Sequence, residues 1–220
     1  LVGDAGIGKT EFMLTLSEMC ATALEVIDIS SAQTGASLTG SETYWGNSQP
    51  GMLFNRLMFG NVANPILMLD EIDKAKESSA HSPLSALHGL LELRQARQFK
   101  DLSVPEIRLD ASHVVWIATA NTLDAIEKPI LDRFMIFHIA VPTSEQMVEV
   151  VKNQYRRFLN DSPAGNYFES EISPDVLKKL CQYHPRNVRK ILNLSFGIAA
   201  SQQRKYLTIE DIQESEIKGK

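Results

Sequence analysis

Three stretches of the chain, Ile66–Leu69, Val114–Ala118 and Met135–Ile139, are apolar without alternation. A strand with one wet face would alternate, so these runs predict parallel strands covered on both sides. Glu25–Ile29, with its β-branched apolar positions, predicts a shorter strand of the same kind. Helices are expected over Glu11–Ala23, Met52–Phe59 and Leu84–Ala96, the last with Leu84, Leu87, Leu90 and Leu91 at helical spacing. Ser30–Gly51 is rich in Ser, Thr, Gly, Asn and Gln and reads as a long loop or loop-bearing segment. Phe99–Asp110 is mixed, either irregular or a hairpin, and Pro129 begins a short helical turn that ends near Phe134.

From Pro142 strands give way to helices. Thr143 and Gln146 have capping-box spacing and open a helix to about Leu159. A polar loop with Pro163, Gly165 and Asn166 follows, and Ser173-Pro174 starts a helix over Asp175–Tyr183. Pro185 starts another, to about Arg204, which puts Arg186 in its first turn and Arg189 one turn on. Thr208 and Asp211 cap a last short segment. The organisation expected is an α/β domain over residues 1–141 and a small helical domain over residues 142–220, without internal repeats.

The polar residues at the ends of these elements carry the chemistry. Gly3, Asp4, Ala5, Gly6, Ile7, Gly8, Lys9 and Thr10 fit the spacing G-x-x-x-x-G-K-[ST] of a phosphate-binding loop. Its glycines let successive backbone N–H groups point into one concavity. Lys9 brings a mobile charge to the outer phosphates, and the Thr10 hydroxyl is a hard oxygen ligand suited to Mg²⁺. The helix after the loop adds the favourable end of its dipole.

The run Ile66–Leu69 ends in Asp70-Glu71, where ligands of open α/β sheets bind. Asp70 can support the metal, and Glu71 can orient and polarise a water aimed at the γ-phosphate. Asn121 ends the next apolar strand, either as a partner for the γ-phosphate or the water, or as a turn-former. Tyr44 and Trp45 stand together in a polar loop and cannot both enter a core from a tight turn. Contact with a partner and anchoring on their own domain are both consistent with that.

Composition adds exclusions rather than chemistry. The chain of 220 residues is 44% hydrophobic and 22% charged with a net charge of -5, which argues against a general nucleic-acid-binding surface. No apolar run approaches a membrane span, and no signal peptide is visible. Cys20 and Cys181 are far apart and fit no metal or redox spacing, so both are expected as reduced, buried thiols in a cytoplasmic protein. The five histidines form no ligand cluster. Leu1-Val2, with no initiator Met, reads as the end of a strand cut short.

Taken together, the phosphate loop, Leu69-Asp70-Glu71, Asn121, Leu131-Asp132-Arg133 and a helical appendage with Arg186 resemble an AAA+ ATPase. The resemblance is closer to the ATPase module of Lon-type proteases. It is carried by the strings Asn64–Lys74, Ser82–Leu87, Ala118–Asn121 and Pro129–Arg133, and by Thr43–Gly46 with Gln49-Pro50-Gly51. The resemblance implies a P-loop three-layer α/β fold with a parallel sheet and a small C-terminal helical lid. It also implies ATP as substrate and Mg²⁺ bound at Thr10 and Asp70. Glu71 would be the catalytic base, Asn121 the sensor-1 residue, Arg133 an arginine finger reaching a neighbouring subunit, and Arg186, ahead of Arg189, the sensor-2 residue. A hexameric ring of identical chains would follow, with Tyr44 and Trp45 gripping a polypeptide substrate.

Several positions depart from that family. Asp4 stands where Lon proteins usually carry Pro, Trp45 replaces a smaller aliphatic residue, and Ser41-Glu42 stand in place of basic residues. The peptidase domain with a Ser-Lys dyad, into which the resemblance would lead, is not part of the sequence. The function expected is therefore ATP hydrolysis that drives unfolding, translocation or remodelling of a protein. A nucleotide switch with little turnover and a DNA-directed loader are the alternatives.

Overall fold

The computed structural model describes residues 1–30, 35–42, 46–75 and 83–213. The chain divides into two compact units, one of Leu1–Gly3 with Lys9–Ile139, the other of Asp4–Gly8 with the chain from Ala140 onward.

The first unit is α/β. Its elements are α1 (Lys9–Met19), β1 (Leu24–Asp28), α2 (Ala36–Thr39), α3 (Met52–Phe59), β2 (Ile66–Asp70), α4 (Pro83–Leu90), α5 (Leu93–Ala96), β3 (Phe99–Asp101), β4 (Val104–Leu109), β5 (Val115–Ala118) and α6 (Lys128–Leu131). Strand β2 pairs in parallel with β1 on one side and β5 on the other. Leu67, Met68 and Leu69 are completely buried, as a continuous apolar run requires when both faces are covered. Each such side chain contributes about 1.5–3 kcal/mol by leaving water. Beyond β5 the sheet continues through parallel bridges of Val2 to Ala120 and of Val2 to His138. The segment at the phosphate loop thus enters beside the strand that ends in Thr119, Ala120 and Asn121.

Three expectations for this unit are corrected, the first being the burial of Cys20, which is exposed. Met135–Ile139 does not form a full strand: it bridges Val2 at His138, with Val2 N–H donating to Phe137 O at 2.9 Å and Ile139 N–H to Val2 O at 2.7 Å. Met135 and Phe137 are exposed, so the run lacks the cover that its apolarity suggested. The single helix expected over Leu84–Ala96 is two, because Glu92 is extended and its carboxylate accepts from Gln95 N–H, capping a fresh start. The loop after β1 contains the short helix α2, which buries Leu38. The stretch Phe99–Asp110 is an antiparallel hairpin of β3 and β4, one of the two forms open to it.

Asp101 fastens that hairpin to the neck of the polar loop. It is fully buried, its Oδ2 accepting from Gly51 N–H at 2.8 Å and its Oδ1 from Ser103 N–H at 2.9 Å and Ser103 Oγ at 2.7 Å. Leu102 N–H donates to Thr39 O at 2.9 Å. Ser41 and Gln49 close the neck, Ser41 N–H donating to Gln49 O at 3.2 Å and Gln49 N–H to Ser41 Oγ at 2.9 Å.

The second unit is helical beyond its loop residues: α7 (Ser144–Asp161), α8 (Pro174–Leu180) and α9 (Pro185–Ser201), with 3-10 turns at Gly165–Tyr167 and Ile209–Asp211. Thr143 and Gln146 form the expected capping box, and so do Thr208 and Asp211. The core is built around the buried Phe196, stacked on Phe158 at 3.8 Å between ring centroids and met edge-on by Phe168. Asp211 locks the end of the unit. It is nearly fully buried, receives two bonds from the Arg204 guanidinium at 2.6 and 2.8 Å, and caps Thr208 N–H at 2.8 Å. The Arg204 bond holds the Asp211 carboxyl below the usual carboxylate range.

Candidate functional site

Helix α1 begins at Lys9, so the loop ahead of it delivers Lys9 and Thr10 in the first helical turn. Lys9 is buried, a position a charged amine keeps only with partners. Its Nζ donates to Gly3 O at 2.6 Å and to Asn121 Oδ1 at 3.0 Å. The ammonium therefore sits between the start of the phosphate loop and the tip of β5. Asn121 thus brings its side chain against the lysine of the loop.

Thr10 Oγ1 lies 3.4 Å from Asp70 Oδ2, linking α1 to the end of β2. This pairs a neutral hydroxyl with a carboxylate, hard oxygens of the kind Mg²⁺ prefers. The two groups fit the metal expected of them. Mg²⁺ keeps waters and substrate phosphates among its ligands, so two protein oxygens can be enough to support it.

Glu71 follows Asp70 in a left-handed conformation, φ 54° and ψ 48°. For a residue with a side chain that conformation costs on the order of 1–3 kcal/mol and persists only when its surroundings hold it. Here Thr119 Oγ1 accepts from Glu71 N–H at 3.0 Å, and Ile72 N–H donates to Thr119 O at 2.9 Å. The turn carries the Glu71 side chain out to solvent while Asp70 stays half-buried. Thr119, which the motifs did not single out, is completely buried at the centre of this arrangement. The available signal was a hydroxyl at the end of an apolar strand, two residues before Asn121.

Arg133 is exposed, and its Nη1 donates to Pro129 O one helical turn back. Tyr44 and Trp45 lie outside the described residues.

In the second unit, Gly6 and Gly8 adopt positive φ of 79° and 103°, which turns the loop tightly. Gly6 has a further constraint, since a Cβ there would stand 2.7 Å from Arg186 Cβ. Arg186 is brought to the loop by the start of α9, where Pro185 opens the helix and His184 Nδ1 accepts from Arg186 N–H at 3.4 Å. Arg189 is exposed one turn further on.

Cavities of about 510 and 630 Å³ include none of Lys9, Thr10, Asp70, Glu71 or Asn121 in their walls. The site itself is built of convergent polar groups at strand ends. Such an arrangement suits a ligand whose charged end is gripped by backbone and side-chain donors.

The family model described as "ATPase family associated with various cellular activities (AAA)" matches residues 1–142. The chain belongs to this family. The ATPase is 34% identical to Lon protease 1 of Syntrophotalea carbinolica over 201 residues, 88% of this chain and 24% of that protein. It is 27% identical to the Lon protease of Malacoplasma penetrans over 224 residues, 99% of this chain and 29% of that protein. The sequence thus spans about a quarter of the length of these curated relatives. In fold it is similar to a Thermotoga maritima RuvB mutant, with a TM-score of 0.64 at 13% identity over 96% of this chain and 59% of that one. That likeness supports the AAA+ type of α/β fold seen in the first unit. Among the described residues no helix is long and apolar enough to cross a membrane.

Proposed function

We propose that the ATPase is a motor module: it hydrolyses Mg·ATP within a ring of identical chains and uses the cycle to unfold or translocate a polypeptide. The observation that carries the chemical part is Lys9 held between Gly3 O and Asn121 Oδ1, beside the Thr10–Asp70 pair and the fixed turn at Glu71. These groups come from three separate places, the phosphate loop and the ends of β2 and β5, and one phosphate chain could meet them all.

In this scheme the backbone of residues 3–8 cradles the phosphates and Lys9 moves from its present acceptors to the outer ones. Thr10 and Asp70 would hold Mg²⁺, which when bound adds positive charge against the phosphate oxygens. Glu71 takes up the proton of a water aimed at the γ-phosphorus, while Asn121 orients that water or the γ-phosphate. Arg133, exposed on its short turn, serves the nucleotide of a neighbouring subunit, and Arg186 completes the charge around the phosphates. Residues 1–141 act as the ATPase domain and residues 142–220 as its lid.

The mechanical part comes from likeness to Lon ATPase modules and from the Tyr44-Trp45 pair, with the net charge of -5 weighing against nucleic acid as the substrate. Two measurements test it. Mixing Arg133→Ala and Glu71→Gln chains should restore part of the hydrolysis that each lacks alone, because each supplies the group missing in the other. An unfolded polypeptide should stimulate hydrolysis where duplex DNA does not. Failure of both, with intact hydrolysis by the unmixed chain, would leave an ATPase without ring or polypeptide substrate.

A further inference from the structure

The hydroxyl of Thr119 makes two bonds at once. It donates to Asp70 Oδ1 and accepts from Glu71 N–H. Thr119 is completely buried and 49 residues away from Asp70 in sequence, so these bonds cross from the end of β5 to the end of β2. The backbone of the same residue adds two more, Thr119 N–H donating to Leu69 O at 2.9 Å and Thr119 O accepting from Ile72 N–H at 2.9 Å. One residue just past β5 thereby clasps residues 69 to 72.

We infer that Thr119 is a positioning residue for hydrolysis, setting the metal-supporting carboxylate of Asp70 and the backbone of Glu71 together through one hydroxyl. The geometry gives each bond a separate consequence. A carboxylate held at Oδ1 cannot rotate freely, so its Oδ2 stays turned toward Thr10. A bond to Glu71 N–H opposes relaxation of its left-handed turn toward an ordinary strand or helix geometry. A group that orients a metal ligand is worth about 10–100-fold in metal affinity or activity when removed. The β-branched shape of Thr suits a strand end, but shape alone explains neither bond. The role given to Thr119 rests on those proposed above for Asp70 and Glu71.

The test compares Thr119→Val, which keeps the shape and removes the hydroxyl, with Thr119→Ser, which keeps the hydroxyl and removes the methyl. Binding of a fluorescent ATP analogue is titrated with and without Mg²⁺, alongside the Mg²⁺ dependence of kcat. Thr119→Val should bind the analogue as wild type does without Mg²⁺, lose the gain in affinity that Mg²⁺ brings, and need about 10–100-fold more Mg²⁺ for half-maximal rate. Thr119→Ser should stay close to wild type in all three measurements. A Thr119→Val chain with unchanged Mg²⁺ dependence overturns the inference. So does Thr119→Ser failing as badly as Thr119→Val, or Thr119→Val losing Mg²⁺-free binding, since the residue would then serve packing or the fold. Asp70→Asn, run in parallel, tells the two levels apart. If it too keeps normal Mg²⁺ dependence, the metal role of Asp70 is at fault rather than the part given to Thr119.

Discussion

Lys9 Nζ and Asn121 Oδ1 stand 3.0 Å apart across 112 residues of chain, joining the phosphate loop to the end of β5. The lysine also donates to Gly3 O at 2.6 Å, so its charge already has acceptors in the protein. Binding a nucleotide then exchanges acceptors rather than creating a new charge in the interior. Asn121→Ala should lower kcat by roughly 10²-fold, the scale of losing one preorganised polar group at a reacting centre, with nucleotide affinity little changed. Equilibrium binding measured beside turnover checks this. Equal losses in both would make Asn121 a binding residue with no part in the chemical step.

Gly6 and Gly8 should respond differently to alanine. Each has positive φ, which costs a residue with a Cβ about 1–2 kcal/mol. At Gly8 nothing lies within 4 Å of the added Cβ, whereas at Gly6 it meets Arg186 Cβ at 2.7 Å. Gly6→Ala should therefore weaken ATP binding more than Gly8→Ala does. In a second background, Arg186→Gly, the excess loss at Gly6 should shrink. A double-mutant cycle reads that coupling directly.

The phosphate loop, Asp70-Glu71 and Asn121 were legible because their chemistry sits in short strings at element ends. Met52–Phe59 was legible for the same local reason, its apolar spacing and flanking glycines marking both ends. What the sequence hid depends on distant pairing. Thr119 looks like one more strand residue until β2 is placed beside β5, and Asp101 like a turn former until the hairpin meets Gly51. Met135–Ile139 misled in the opposite direction, because an apolar run does not say which backbone will pair with it or what will cover it. The break between α4 and α5 lay in one side chain, Glu92, competing for the backbone of its own helix.

Asp101→Ala should destabilise the first unit by about 3 kcal/mol, since it leaves the buried N–H groups of Gly51 and Ser103 without their acceptor. Urea unfolding at pH 7 measures the change. Asp101→Asn should fall between the two, as its amide retains one acceptor oxygen where the carboxylate has two.

Asp211 predicts an acid limb for the second unit. Its folded carboxyl titrates below the ordinary value because Arg204 and Thr208 favour the charged form. The stabilisation is therefore present above the unfolded value, about 3.9, and is lost as pH falls through the lower folded one. Asp211→Asn should lower Tm at pH 7, and the gap from wild type should narrow as pH drops below about 4. A gap that stayed constant with pH would remove the ion pair from the explanation.

The central claim is that this site hydrolyses ATP with Glu71 as the base that takes the proton from water. ATP affinity and steady-state hydrolysis should be measured side by side for wild type and Glu71→Gln, with Mg²⁺ and at concentrations that support assembly. Equal affinity is expected, with a rate about 10²–10⁴-fold lower in the variant, the range that a positioned general base contributes. Glu71→Gln turning over ATP at the wild-type rate would contradict it.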